Sequence, residues 1–182
     1  DPFGFILFAR NIDTPDQVRR LTAALRAAVG REAPVLVDQE GGRVQRLRAP
    51  TWRDWVAPLD EVARASDPVR AMFLRYALIG AELRGVGIDV NCAPIADVAD
   101  DRTHPFLRNR CYGEDADQVT KTARAVADGL LYAGVLPVLK HIPGHGRGQV
   151  DSHKGLPRVA VGRAALERDF APFRALNDLR WA

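Results

Sequence analysis

The chain has 182 residues, 47% of them hydrophobic and 27% charged, with a formal net charge of +3. That balance predicts one globular domain around a core and excludes a disordered chain. Its positive charge is almost all arginine, spread along the sequence with lysine only at 121, 140 and 154, so no basic block marks a nucleic-acid partner.

No apolar run approaches the roughly 20 residues of a membrane-spanning helix, and the opening "DPFGFILFAR" lacks the basic n-region and cleavage pattern of a signal peptide. Cys92 and Cys111 form no CxxC pair and read as free thiols in packed positions. Together these predict a cytoplasmic protein with no membrane partner.

In chain order, "GFILF" (4–8) is the first predicted strand. A helix then opens at Thr14, with Pro15 in its first turn and Gln17 completing a capping box. Its apolar face is Val18, Leu21, Leu25 and Ala28, and Gly30 is placed to stop it. "PVLVD" (34–38) is a short buried strand. Asp67 and Pro68 start a helix striped by Met72, Phe73, Tyr76, Ile79 and Leu83, and "GIDVNCAPIADV" (87–98) supplies the third strand. Asp115 and Gln118 repeat the capping pattern and launch a helix through Val119, Ala123, Val126 and Leu130 to Gly134. The fourth strand, "VLPVLKH" (135–141), follows at once. Leu166, Phe170, Phe173 and Leu176 mark a last helix, with Pro172 expected to kink it or start a new turn.

Nearly continuous apolar strands alternating with helices predict a parallel α/β sheet covered by helices, in about four βα units. Both a doubly wound open sheet and a (β/α)8 TIM barrel satisfy this pattern. Arg10, Asp38, Asp97 and the Lys140–His141 pair fall at or just after the C-terminal ends of predicted strands, the face on which a barrel builds its active site. An open nucleotide-binding sheet would carry a glycine-rich turn after its first strand. The residues there, "ARNIDTP", have none, and neither GxGxxG nor GxxxxGKS/T occurs, so no nucleotide cofactor is implied.

The stretch "KHIPGHGRGQVDSH" (140–153) holds one of the few lysines and every histidine except His104. One reading is a loop whose histidines bond the backbone, although a desolvated cluster of donors is costly without a partner. A second is a metal site using His141, His145, Asp151 and His153, against which stand the adjacent Lys140 cation and the helix-breaking "PG". The third is acid–base catalysis with polar ligand binding. Asp151 and His153 are two residues apart, so in extended chain both point the same way and the carboxylate can orient the imidazole. An imidazole with an unperturbed pKa of about 6.5 can give and take a proton near neutrality.

"VDQEGGRVQRL" (37–47), "APIADV" (93–98), "NRCYGEDADQV" (109–119) and residues 140–153 are similar, in order, to the signature segments of the family 3 glycoside hydrolases. They most resemble the bacterial β-N-acetylglucosaminidase branch, which trims cell-wall-derived sugars during peptidoglycan recycling. The resemblance runs from about Gly4 to the end of the chain. It implies a retaining, metal- and cofactor-independent exo-glycosidase on a (β/α)8 barrel, with an N-acetylglucosamine-containing glycan as partner. It further implies that Asp38, Arg110, Lys140 and His141 hold the terminal sugar, that Asp151 and His153 form the general acid/base pair, and that His145 and its glycines shape their loop.

Three features depart from that pattern. Nothing after His153 matches the "SDD"-like segment of the family's nucleophilic aspartate, since Asp169 and Asp178 sit in helical context. About four of eight strands are present, so residues 1–182 are expected to be a single domain that is part of a longer catalytic barrel. Ile142 stands where the family more often has an aromatic, with an effect expected on packing alone. Glu40 can be read as a general acid or as a brace of its glycine turn, and Trp52 with Trp55 as a stacking platform or a hydrophobic clasp. Cys92 is expected in the core. A metal-dependent barrel hydrolase and a catalytically incomplete sugar-binding chain remain the alternatives.

Overall fold

The structure, a computed structural model, describes residues 2–151 and 154–179. Four strands, β1 (Phe5–Leu7), β2 (Val35–Val37), β3 (Val90–Asn91) and β4 (Leu136–Pro137), form one sheet in the order β1-β2-β3-β4. Every neighbouring pair is parallel. A doubly wound sheet reverses its strand order at a switch point, whereas strands that follow chain order around one direction form the arc of a (β/α)8 barrel. The described residues supply four strands of that fold.

The helices are α1 (Pro15–Val29), α2 (Pro58–Arg64), α3 (Pro68–Arg84), α4 (Pro105–Arg108), α5 (Ala116–Tyr132) and α6 (Arg163–Ala175). Their starts follow the sequence closely. Thr14, Asp67 and Asp115 each accept a bond from the backbone N–H three residues on, at 3.2, 3.0 and 2.8 Å. Only the cap half of each expected box forms. Gln17 Oε1 accepts from Asp13 N instead of Thr14 N, and Gln118 Nε2 donates forward to Thr122. Gly30 ends α1 at φ 63°, where a side chain is disfavoured. Pro172 lies inside α6, and the helix runs through it to Ala175.

The core fills the space between sheet and helices. Val18 comes from α1, Met72, Tyr76, Ile79 and Leu83 from α3, and Val119, Ala123, Val126 and Leu130 from α5. Each large apolar side chain buried this way contributes about 1.5–3 kcal/mol. Two expected stripe residues lie elsewhere: Ala28 is exposed, and Phe73 pairs at the surface with Tyr132, ring centroids 5.9 Å apart. Thr22 is buried in α1, its hydroxyl donating to Val86 O at 3.1 Å.

The third and fourth strands are shorter than the apolar runs predict because proline interrupts them. Pro94 and Pro137 have no N–H to offer a ladder. Beyond the interruption the chains meet again at a parallel bridge between Ile95 and Lys140, with Ala96 N donating to Lys140 O at 2.8 Å. That second meeting sets Lys140 and His141 beside Asp97, at the C-terminal end of the sheet.

Candidate active site

An open cavity of about 1040 Å³ sits at this end, lined by Asp38, Arg110, Lys140, His141 and Asp151 among others. Five of the six residues singled out from the sequence therefore share one cavity. The sixth, His153, lies outside the described residues.

Two buried carboxylates organise the cluster. Glu40 is fully buried and receives Arg110 in a fork, Nε to Oε2 and Nη2 to Oε1, each at 2.8 Å. Its Oε1 also meets Lys140 Nζ at 2.7 Å. Glu40 thus braces far more than a glycine turn: it is the counter-ion of two ligand-facing cations, committed to both and sealed from the cavity, which argues against a general acid. Its backbone oxygen is tied in turn by Arg75 Nη2 at 2.9 Å and Tyr76 Oη at 3.1 Å. The Arg75 guanidinium lies where a Cβ on Gly41 would stand, 2.0 Å away, so the glycine makes this tie possible. Burial pushes the Tyr76 hydroxyl up to about 12, so it stays a donor.

The second carboxylate is Asp97, also fully buried. His141 Nδ1 lies 2.6 Å from its Oδ2, and its Oδ1 accepts from His145 N at 2.6 Å. Asp38, just past β2, meets Lys140 Nζ at 3.0 Å and Arg46 Nη2 at 3.3 Å. Burial alone would raise the Asp38 carboxyl, but the Lys140 ammonium, with Arg46 and Arg110 behind it, holds it below the ordinary carboxylate range. Arg110 is buried, and burial opposes its charge; the Glu40 carboxylate more than offsets that and raises it.

The free valences face the cavity. Of the three Lys140 N–H groups two have acceptors, Asp38 and Glu40, and Arg110 Nη1 has no protein acceptor among the described residues. An ionised acceptor at Asp38 and unspent donors at Lys140 and Arg110 suit a polar ligand rich in hydroxyls. A metal ion on His141 would meet a cation, since the Arg110 guanidinium faces its Nε2 at 3.4 Å while Nδ1 meets Asp97. Among the described residues no group of three or more His, Cys, Asp or Glu is arranged to hold a metal ion.

The loop after His141 is anchored at its root. Gly146 packs so tightly on residue 98 that a Cβ would lie 1.9 Å from Val98 O, and its carbonyl accepts from Thr103 Oγ1 at 2.8 Å. Arg147 pairs with Asp169 at 2.6 Å and Asp100 at 3.4 Å, bonding the loop to α6. Asp169 is thereby a structural anion. Burial lowers the His145 imidazole, which packs against Phe106 with ring centroids 5.6 Å apart and the planes tilted by 60°.

Other expectations are corrected. Arg10 lies outside the cavity, over the Phe8 ring at 4.8 Å. Trp52 and Trp55 also lie outside it, packed on the core, and Arg75 stacks 5.4 Å from Trp55, so they form a clasp and not a platform. Cys92 is a partly exposed cavity residue, not core. Sequence reasoning missed Arg46 and the roles of Glu40 and Asp97. A carboxylate set at a strand end among apolar or glycine neighbours was their available signal.

A parallel sheet in barrel order with a hydrogen-bonding cluster at its C-terminal end defines part of a (β/α)8 barrel domain with a polar cavity at the face where such barrels build their sites. The profile of the "Glycosyl hydrolase family 3 N terminal domain" matches residues 3–179, and the chain belongs to that family. It is 38% identical over 181 residues to a beta-hexosaminidase of Stenotrophomonas maltophilia (strain K279a), covering 94% of this chain and 52% of that protein. Native NagZ from Neisseria gonorrhoeae superposes with a TM-score of 0.88 at 32% identity, covering 97% of this chain and 52% of that one. A family 3 beta-N-acetylglucosaminidase from Paenibacillus sp. str. FPU-7 gives 0.83 at 35% identity, over 94% and 33%. The chain spans about half the length of several of the curated relatives it matches, and 30% of beta-hexosaminidase A from Pseudoalteromonas piscicida. No described helix is long and apolar enough to cross a membrane.

Proposed function

We propose that residues 1–182 are a single-domain portion of the catalytic barrel of an exo-acting, retaining β-N-acetylglucosaminidase. It would release terminal N-acetylglucosamine from cell-wall-derived glycans in cytoplasmic peptidoglycan recycling, without metal or cofactor. The observation that carries this reading is the clamp on Glu40: Arg110 and Lys140 are fixed by one buried carboxylate, yet keep donors for the cavity beside the ionised Asp38. Pre-oriented donors and acceptors hold a hydroxylated ring without paying for reorganisation on binding.

In this reading Asp38 accepts from sugar hydroxyls, while Lys140, Arg110 and His141 complete the grip. A nucleophilic aspartate from outside these residues attacks the anomeric carbon as the glycosidic C–O bond breaks, and His153, oriented by Asp151, gives its proton to the leaving oxygen. Water then attacks the glycosyl ester, His153 takes the water's proton, and the carboxylate is regenerated.

The test is hydrolysis of β-N-acetylglucosaminides of graded leaving-group ability by the full-length chain. His153→Ala should lower kcat by about 10²–10⁴-fold for poor leaving groups and least for nitrophenol. Near-normal turnover across the series would reject the His153 role. N-acetylglucosamine binding without any turnover would mark a sugar-binding chain instead.

A further inference from the structure

The proposed sugar grip includes His141, whose chemistry depends on which ring nitrogen carries the proton. A neutral imidazole offers one donor and one acceptor, and its neighbours decide which is which. Here the neighbours are unusually decisive. Asp97, fully buried, faces only donors: His145 N at 2.6 Å and His141 N at 3.4 Å on Oδ1, and His141 Nδ1 at 2.6 Å on Oδ2. A carboxylate accepts and does not donate, so Nδ1 must bear the hydrogen. On the other side of the ring, Nε2 faces Arg110 Nη2 at 3.4 Å, and a guanidinium has no acceptor. Both contacts demand the same state.

We infer that Asp97 is the positioning residue of the site: it locks His141 as the Nδ1–H tautomer, so that Nε2 keeps its lone pair at the cavity wall, where Arg110 Nη2 faces it only at a long 3.4 Å and a ligand hydroxyl can take over as its donor. The same carboxylate binds the His145 backbone N–H, so it ties the root of the 145–151 loop to that imidazole. The ligand-facing histidine and the start of the loop that carries Asp151 are set by one buried group. Only the step naming a sugar hydroxyl as the donor rests on the proposed glycosidase reading; the tautomer lock stands on the contacts alone.

Asn at position 97 is the informative replacement. Its Oδ1 can keep the bond from His145 N, which turns the amide NH2 toward His141 Nδ1. That nitrogen must then accept, and the proton moves to Nε2, against Arg110.

The experiment is 15N NMR of histidine side chains in the full-length chain at neutral pH, with the His141→Ala spectrum assigning the His141 signals. Wild-type protein should show a protonated Nδ1 and an unprotonated Nε2, and Asp97→Asn should exchange them. N-acetylglucosamine should bind about tenfold more weakly to Asp97→Asn. Adding His141→Ala to that variant should cost little more, because the two act through one contact. A wild-type His141 protonated at Nε2, alone or with Nδ1, would overturn the inference, and this measurement needs no variant to fold. Fully additive losses on binding would overturn it as well. Because neither the spectra nor sugar binding depends on turnover, failure of the glycosidase reading in the hydrolysis assay is distinguishable from failure of the lock.

Discussion

Replacing Glu40 with Gln tests whether one carboxylate holds the site together. The change keeps the side-chain shape but removes the charge, and it turns an NH2 group toward Arg110 or Lys140. In the native chain the Glu40 side chain is 0% exposed, against 9% for Arg110 and 14% for Lys140. Without the carboxylate, both cations remain out of water with less compensation: Arg110 loses its bidentate partner and Lys140 keeps Asp38 at 3.0 Å. Removing one partner of a buried ion pair costs about 3–5 kcal/mol, a large part of a domain's stability of about 5–15 kcal/mol. For a domain of this size that corresponds to a melting temperature about 6–20 °C lower. Calorimetry of the two proteins reads the shift directly. Lys140→Met added to Glu40→Gln should cost less than it does in the native background, since the Lys140–Glu40 pair is already gone and only the Asp38 contact remains to lose. A midpoint within about 2 °C of the parent would refute the reasoning, because water would then be serving the two cations as well as Glu40 does.

Two further outcomes follow from the charges around the cavity. The Asp38 carboxyl is held below its ordinary value, so its contribution to stability and to ligand binding is fully present above pH of about 4 and is lost only as pH falls through the lower folded value. N-acetylglucosamine affinity, measured by calorimetric titration, should therefore change little through Asp38 between pH 7 and 5, and an Asp38-dependent loss already at pH 5.5, absent from Asp38→Asn, would contradict the ion pair with Lys140. Burial, helped by the Asp38 carboxylate, pushes the Cys92 thiol up to about 11, so iodoacetamide at pH 8 should modify it roughly a hundredfold more slowly than a peptide cysteine, despite its place on the cavity wall. Mass spectrometry of the labelled chain checks this, and modification at the rate of a peptide thiol would contradict it.

The parts of the fold legible in sequence were those fixed by neighbours within one helical turn. Thr14, Asp67 and Asp115 cap the helices they were expected to cap, because a cap bond spans three residues. Strand extent was less legible. The run of apolar residues through Pro94 looked continuous, yet a proline without an N–H splits the ladder and lets it resume only at Ile95 and Lys140. Arg10 and Asp38 both sat at strand ends with similar local sequence, and only packing separates them: one guanidinium stacks on Phe8, the other residue meets Lys140 across 102 positions of chain. Long-range pairing is also why Glu40 was underread. Its two partners lie 70 and 100 residues away, and nothing in "QEGG" announces them.

The balance of charge in the cavity says what kind of ligand these pairings favour. Arg43, Arg46, Arg110 and Lys140 bring four cations, and Asp38, Asp151 on the wall with Glu40 and Asp97 behind bring four carboxylates. A phosphate site leaves its cations uncompensated and adds backbone N–H groups from a glycine turn or helix start. Here Glu40 is shared by Lys140 and Arg110, and Asp38 by Lys140 and Arg46, within a set of four carboxylates against four cations, so the local field is small while hydrogen-bonding capacity stays high. Charge-assisted donors and acceptors bond more strongly than neutral ones. A neutral ring bearing several hydroxyls can use such donors and acceptors without bringing a charge that the site would have to balance, and that is the physical ground for proposing a sugar as the ligand.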